Sequence, residues 1–522
     1  MGLFRSAATI SSLTLISRIT GLARDVLIAR AFGAGAFTDA FWVAFRIPNL
    51  LRRLFAEGAF SQAFVPILGA ARTNRTDEDV RTLLDRVALL LTVALMVVTV
   101  IGIVAAPWVV SAMASGLRKA AREPEFNAAV WMTRMMFPYI VCMSLTAFAS
   151  GVLNTWRRFA VPAFTPVLLN LSMIAACIWL APHYDIPVYA LAIGVMAGGV
   201  AQLAIQWIAL SRIGLLPRYS LRVREAWADP TVKRILRQMG PATLGVSVAQ
   251  ISLLINTNIA TWLTQGSVTW LSYADRLMEF PTALLGVALG TVLLPSLSAA
   301  HARDDADGYS ALLDWGLRLV LLLGLPAALG LALLSEGLVA TLFNYGKFAA
   351  GDVEQTRLAV MAYSVGLIGL LAVKILAPGF YARQDIRTPV RIAIVVLIAT
   401  QVFNLMLVPR LGHAGLALAI GLGACLNALA LLIGLRRRGN YQPQAAWLSF
   451  GLRLLPALIG VSALLIAANT YVDWIALHAQ PGMRIVWLAG VVALSGVVYF
   501  GLLAACGFRR RDFARAGRAA QG

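Results

Sequence analysis

Residues 87–110 read VALLLTVALMVVTVIGIVAAPWVV, a stretch with no charged residue. About 20 apolar residues in a helix cross the ~30 Å hydrocarbon core of a bilayer. The stretch is rich in Leu, Ala and Val and lacks the alternation a barrel wall requires, so it reads as a membrane-spanning helix. Outward from it the pattern repeats. Fourteen apolar segments lie near 8–32, 36–69, 82–113, 130–155, 162–181, 187–212, 238–264, 268–299, 312–334, 355–381, 389–410, 413–437, 449–472 and 483–506. The expected fold is an all-α polytopic membrane protein of about 14 transmembrane helices.

Composition agrees. Of 522 residues, 60% are hydrophobic and 13% charged, and the mean hydropathy is +0.78. A soluble domain carries about 25% charged residues. A soluble enzyme, a disordered chain and a secreted disulfide scaffold are excluded. The net charge is +20, from 44 Lys and Arg against 24 Asp and Glu. Much of the excess sits in short loops between apolar runs, where it sets orientation, so no nucleic-acid partner is expected. Cys142, Cys177, Cys425 and Cys506 fall singly inside apolar runs and read as small hydrophobes.

With the N-terminus in the cytoplasm, the cytoplasmic connections carry Arg72, Arg75 and Arg81, then Arg157 and Arg158, then Arg212 to Arg237, then Arg383 and Arg387, then Arg436, Arg437 and Arg438. Basic residues favour that side by roughly three to one, which also puts the arginine-rich C-terminal tail in the cytoplasm. Residues 213–237 mix six basic residues with Leu, Val, Trp227 and Ile235, which reads equally as an amphipathic element on an anionic leaflet or as a solvated loop obeying the orientation rule.

The two halves resemble each other. ALAIG occurs at 190–194 and again at 417–421, and at the same offset Pro162 falls on Pro389 and Pro182 on Pro409. Near that offset VPILGAAR at 65–72 faces LPSLSAAHAR at 294–303. Six helices per copy make a parallel repeat. The expected organisation is an N-lobe at 1–212, an amphipathic linker at 213–237, a C-lobe at 238–438, and two further helices with a basic tail at 439–522.

Several charges interrupt the apolar segments. The first carries Arg18, Arg24 and Asp25; Arg18 and Asp25, seven apart, share a helix face. In the second, Asp39, Arg46, Arg53 and Glu57 cluster within about 40° of one another, beside Asn49 and Arg52. The eighth adds Asp275, Arg276 and Glu279, and Lys374 lies in the tenth. An arginine at the centre of a span costs about 2.5–3.5 kcal/mol or more. Such residues therefore face a water-filled cavity or opposite charges, or snorkel to headgroups from a helix end. Guanidinium forks suit phosphate oxygens. Pro48, Gly58 and Pro66 in the second segment sit at roughly the places of Pro281, Gly286, Gly290 and Pro295 in the eighth, as bent helices at a transport site would or as ordinary glycine packing between membrane helices would.

SRITGLARD at 17–25, TDAFWVAFRIPNLLRRLFAEGAFS at 38–61 and YADRLMEFPTALLGVALGTVLLPSLS at 273–298 resemble signature stretches of the MurJ (MviN) family of bacterial lipid II flippases. The resemblance runs along essentially the whole chain. It implies the multidrug/oligosaccharidyl-lipid/polysaccharide (MOP) exporter fold, in which two six-helix lobes enclose a central cationic cavity and the last two helices border an apolar groove. It implies lipid II as substrate, a place in the bacterial cytoplasmic membrane and a role in peptidoglycan synthesis. Phospholipids and cell-wall synthesis proteins are the further partners it implies. Arg18, Arg24, Arg52 and Arg276 match the family's substrate-binding arginines; Asp39, Asn49, Arg53 and Glu57 also match family positions. No cofactor is expected. Some relatives hold sodium with carboxylates on the seventh and eleventh helices, where this chain has Asn256, Asn258 and Asn404 and no carboxylate, so no metal is expected.

Four other readings compete. One is an exporter of another polyprenyl-pyrophosphate-linked oligosaccharide. A cation-exporting drug pump would line its cavity with carboxylates, against the arginines here. A membrane glycosyltransferase would need a positioned base or a metal, whereas His183, His301, His413 and His478 are scattered and Asp304, Asp305 and Asp307 read as a solvated run. A non-transporting scaffold for cell-wall synthases would need no cavity arginines.

Overall fold

The computed structural model describes residues 3–51, 60–220, 222–445 and 447–508, and every regular element in them is helical. In chain order these are α1 (Leu3–Phe32), α2 (Ala36–Leu51), α3 (Phe60–Asn74), α4 (Asp77–Met113), α5 (Glu123–Met136), α6 (Tyr139–Thr155), α7 (Ala160–Ala175), α8 (Tyr189–Arg212), α9 (Val223–Ala228), α10 (Pro230–Trp262), α11 (Ser267–Ala302), α12 (Ala306–Leu333), α13 (Ser335–Phe343), α14 (Ala350–Tyr381), α15 (Arg387–Arg437), α16 (Trp447–Tyr471) and α17 (Pro481–Ala505). Among the described residues nine helical stretches are long and apolar enough to cross a membrane. The chain is a multi-pass membrane protein.

Expected segments and observed helices differ where the backbone breaks. The second segment divides into α2 and α3, whose junction lies outside the described residues. The fourth divides at Phe137 and Pro138 into α5 and α6. The fifth ends in a π turn at Ala176–Leu180. The eleventh and twelfth run together as α15, whose 51 residues would extend about 75 Å if straight, far beyond the hydrocarbon core. Gly412 breaks it with φ 57° and ψ −132°, a left-handed conformation that glycine takes without a Cβ clash. Pro281 and Pro295 lie inside one continuous α11.

Membrane context explains the distribution of apolar side chains. Only a third of the most apolar window of α4 is buried, and Val97, Val100, Ile101, Val104 and Trp108 are exposed. A face so apolar and so open is a lipid-facing one.

The chain forms two compact units, Met1–Thr269 and Trp270–Gly522. In the first, Phe60, Phe64 and Phe148 stack at the centre of a core that also takes Leu83, Leu84 and Val87 from α4. Val232 and Ile235, at the start of α10, belong to the same core. At its other end α10 receives the Arg122 guanidinium on the carbonyls of Thr261 and Leu263 (2.8 and 3.0 Å). Tied at both ends, α10 packs with the first unit; its sequence spans the end of the expected linker and the start of the expected C-lobe. In the second unit, Leu313 and Val320 of α12 and Leu367, Leu371 and Ile375 of α14 are buried. There α14 and α15 approach so closely at Gly366 and Gly421 that a Cβ on Gly366 would lie 2.2 Å from the Gly421 Cα.

The linker is anchored rather than free. Arg218 donates its backbone N–H to Asp85 (2.8 Å), and Arg86 pairs with Asp229 (2.5 Å). Burial alone would raise the Asp229 carboxyl. The Arg86 guanidinium and the amides of Thr231 and Val232 outweigh it and hold the group below its ordinary value. Asp229 thereby caps α10.

Candidate functional site

Arg24 and Asp25 are buried about three-quarters of the way along α1, 5% and 1% exposed. The Arg24 Nε and Nη2 both donate to Asp25 Oδ1, at 2.9 and 2.7 Å. Its Nη1 donates to Asn170 Oδ1 on α7 at 3.1 Å. Asn170 in turn donates through Nδ2 to the Ser17 carbonyl (3.0 Å) and the Thr20 hydroxyl (3.1 Å). Gly21 sits where this amide enters α1, its Cβ position 3.5 Å from Asn170 Nδ2. One guanidinium is thus fixed in orientation by a carboxylate and a side-chain amide.

Arg18 is exposed and has no hydrogen bond or ion pair among the described residues. The face it was expected to share with Asp25 is open at Arg18 and closed at Asp25, about 10 Å along the axis. Arg18 therefore keeps its full set of donors.

Asp39, in the first turn of α2, is 5% exposed and committed to protein. Its Oδ2 accepts from the Gly266 N–H (2.7 Å), and its Oδ1 accepts from the Thr269 N–H (2.8 Å) and hydroxyl (2.7 Å). It satisfies backbone donors that the first turn of α11 would otherwise leave orphaned. Arg46 donates to the Thr257 hydroxyl on α10. Asn49 is partly buried near the end of α2. Arg52, Arg53 and Glu57 lie outside the described residues.

In the second unit, Arg276 pairs with Glu279 at 2.9 Å, with both side chains nearly half exposed. Lys374 donates to the Thr282 carbonyl at 3.0 Å. Of the sequence-selected residues, the structure brings Arg24 and Asp25 together on α1 and Arg276 and Glu279 together on α11. Asn170 escaped the sequence reading. Its only signal was an amide inside the apolar run PVLLNLSMI.

The other candidates are occupied structurally. Asp305 caps α12 through the Gly308 N–H (2.8 Å), and Asn258 bridges Ser115 and the Ala112 carbonyl. Cys142 and Cys177 are buried, and Cys425 and Cys506 are partly so. Among the described residues no three His, Cys, Asp or Glu side chains gather as a metal site.

A family model described as lipid II flippase MurJ matches residues 28–481. The chain is 55% identical over 515 residues to a lipid II flippase MurJ of Burkholderia cenocepacia, covering 99% of each chain. It is 40% identical to a probable lipid II flippase MurJ of Vibrio cholerae, covering 98% of this chain and 97% of that one. A solved lipid II flippase MurJ in an inward closed conformation shares the fold, with a TM-score of 0.76 at 22% identity, over 95% of this chain and 99% of that chain. An inward-facing MATE transporter of the MOP superfamily matches with a TM-score of 0.67 at 16% identity, over 83% of this chain and 98% of that chain. With a family model matched from residue 28 to residue 481 and relatives aligned from end to end, the chain belongs to the MurJ family of lipid II flippases.

Proposed function

We propose that this chain moves lipid II, the undecaprenyl-pyrophosphate-linked peptidoglycan precursor, from the inner to the outer leaflet of the bacterial cytoplasmic membrane. Both termini then lie in the cytoplasm. The observation that carries the reading is Arg18, a cation within an apolar span that has no partner among the described residues, in a chain of this family.

The headgroup enters from the cytoplasmic side, its diphosphate drawn to Arg18, Arg24, Arg52 and Arg276. Arg18 offers open donors. Arg24 is already oriented by Asp25 and Asn170 and supplies charge at a fixed place. Charge-assisted hydrogen bonds replace lost hydration. The prenyl tail stays in hydrocarbon, along the apolar groove of the last two helices. The lobes then exchange access from one side to the other, and no covalent bond changes. Coupling to the membrane potential suits a chain whose seventh and eleventh segments carry no carboxylate for a hard cation.

The test is reconstitution in vesicles with lipid II in one leaflet, reading headgroup exposure on the other. Flipping by the wild type, lost on single alanine replacement of Arg18 or Arg276, supports the reading. Equal flipping of polyprenyl-pyrophosphate oligosaccharides that lack the pentapeptide would instead favour a broader exporter.

A further inference from the structure

The second unit holds an apolar cavity of about 350 Å³. Its walls are Leu321 of α12, Ile368 and Ala372 of α14, and Leu432 of α15; Arg436 and Trp447 also line it. Its origin lies in the connection from Arg438 to Ala445. Tyr441 (2.9 Å), the Gln444 N–H (3.2 Å) and Trp447 (2.7 Å) all donate to Asp314 Oδ1, a carboxylate that is 1% exposed. These bonds hold the connection as an arch across the ends of α12, α14 and α15, with space beneath it.

Three features define an occupant. The walls are hydrocarbon, so it is apolar. Ile368 lies thirteen residues before the end of α14, and Arg436 stands one residue before the end of α15. The cavity therefore reaches from the helix ends to about 20 Å inward, close to the ~15 Å depth of one leaflet. The arginines around it are not equivalent. Arg318 pairs with Asp314 (2.8 Å) and lies over the Trp447 ring, and Arg438 pairs with Asp385. The Arg436 guanidinium has neither an ion pair nor a hydrogen bond among the described residues.

We propose that this cavity is a binding site for an anionic diacyl phospholipid of the arginine-rich leaflet, one acyl chain under the arch and the phosphate on Arg436. A void lined this way is filled by hydrocarbon in a bilayer, and a single unpaired guanidinium at its rim selects a negative headgroup. An undecaprenyl tail overruns a pocket one leaflet deep. By length this cavity suits one acyl chain rather than the substrate's tail, although Trp447 of α16 borders it.

The experiment is a thermal-unfolding titration of the purified full chain in detergent, with dioleoyl phosphatidylglycerol against dioleoyl phosphatidylcholine and no lipid II present. Ligands that bind only the folded state raise the Tm by mass action. Phosphatidylglycerol is expected to give a saturable rise that exceeds the phosphatidylcholine rise. R436Q weakens the apparent phosphatidylglycerol affinity about fivefold, whereas R437Q, whose side chain does not line the cavity, leaves it unchanged. A372W fills the cavity and removes the saturable rise for both lipids; L432F serves if the tryptophan prevents folding. Equal rises for the two lipids, an unaltered R436Q, or equal losses in R436Q and R437Q would overturn the site. Displacement of phosphatidylglycerol by undecaprenyl phosphate would overturn it too, in favour of an isoprenoid chain. Because lipid II is absent, these outcomes are separate from success or failure of the flipping assay.

Discussion

Arg18 and Arg24 stand six residues apart on one helix and meet opposite surroundings. Arg24 is closed in by Asp25 and by Asn170 from α7, while Arg18 is open. Exposure likewise separates buried Asp39, whose two oxygens hold the start of α11, from Arg276 two turns further along that helix, which is half exposed and paired with Glu279. Charge inside this protein therefore does two different jobs. Buried, bonded charges fix helices against one another; the exposed arginines are the ones we propose to meet the ligand, and Arg24 is proposed for both roles.

The largest effect is expected at Arg24. R24A leaves Asp25 buried without its guanidinium, a change that costs about 3–5 kcal/mol and strips folded protein from the membrane extract. The double variant R24A/D25N removes both charges and should recover much of the folded protein without recovering transport. Size-exclusion profiles and melting curves check both. Wild-type yields of R24A would show that the Arg24–Asp25 pair is no structural element.

Asp39 comes next. D39A removes the cap of α11 and should lower stability by about 1–2 kcal/mol, with D39N retaining part of it because an amide oxygen still accepts. Melting curves of the two variants sharpen the comparison. A D39A that melts like the wild type but no longer flips would move Asp39 to the ligand-binding class.

On α11 the expected stability change is smaller. The Arg276–Glu279 pair is half exposed, so E279Q should alter the melting temperature little, in line with the ~0–1 kcal/mol of surface pairs. E279Q keeps flipping activity and R276A loses it. Loss of activity in both would mean that the pair, rather than the arginine, is what transport needs.

The smallest effect is a pH dependence in a loop. Hydrogen bonding from Thr388 holds the Asp385 carboxyl down at about 2, against some burial, with help from Arg438. A carboxyl with a depressed folded value stabilises the protein fully above its ordinary value near 4. It loses that contribution as pH falls through about 2. The wild type should therefore lose more stability than D385N between pH 4 and pH 2, a difference read in acid-unfolding curves.

Much of the fold was legible because a bilayer imposes one simple rule, long apolar helices, and the segment pattern obeys it. Connections were less legible. The nine-residue α13 is too short for its periodicity to stand out, and the break in α15 rests on one glycine in a run that is apolar on both sides. The candidate site was legible as a list of charges and not as a set of roles. Helical spacing put Arg18 and Asp25 on one face, but which level of that face is covered depends on packing around α1, which spacing along α1 does not encode. Asn170 carries no charge and stands 146 residues from the arginine it holds, so only the fold connects them.

The central claim is that open arginines within the spans carry the substrate's diphosphate. Its most direct test is lipid II flipping by R18A in reconstituted vesicles, alongside a melting curve of the same preparation. The account predicts a protein that melts like the wild type and flips at least tenfold more slowly. A folded R18A that flips at the wild-type rate would contradict it.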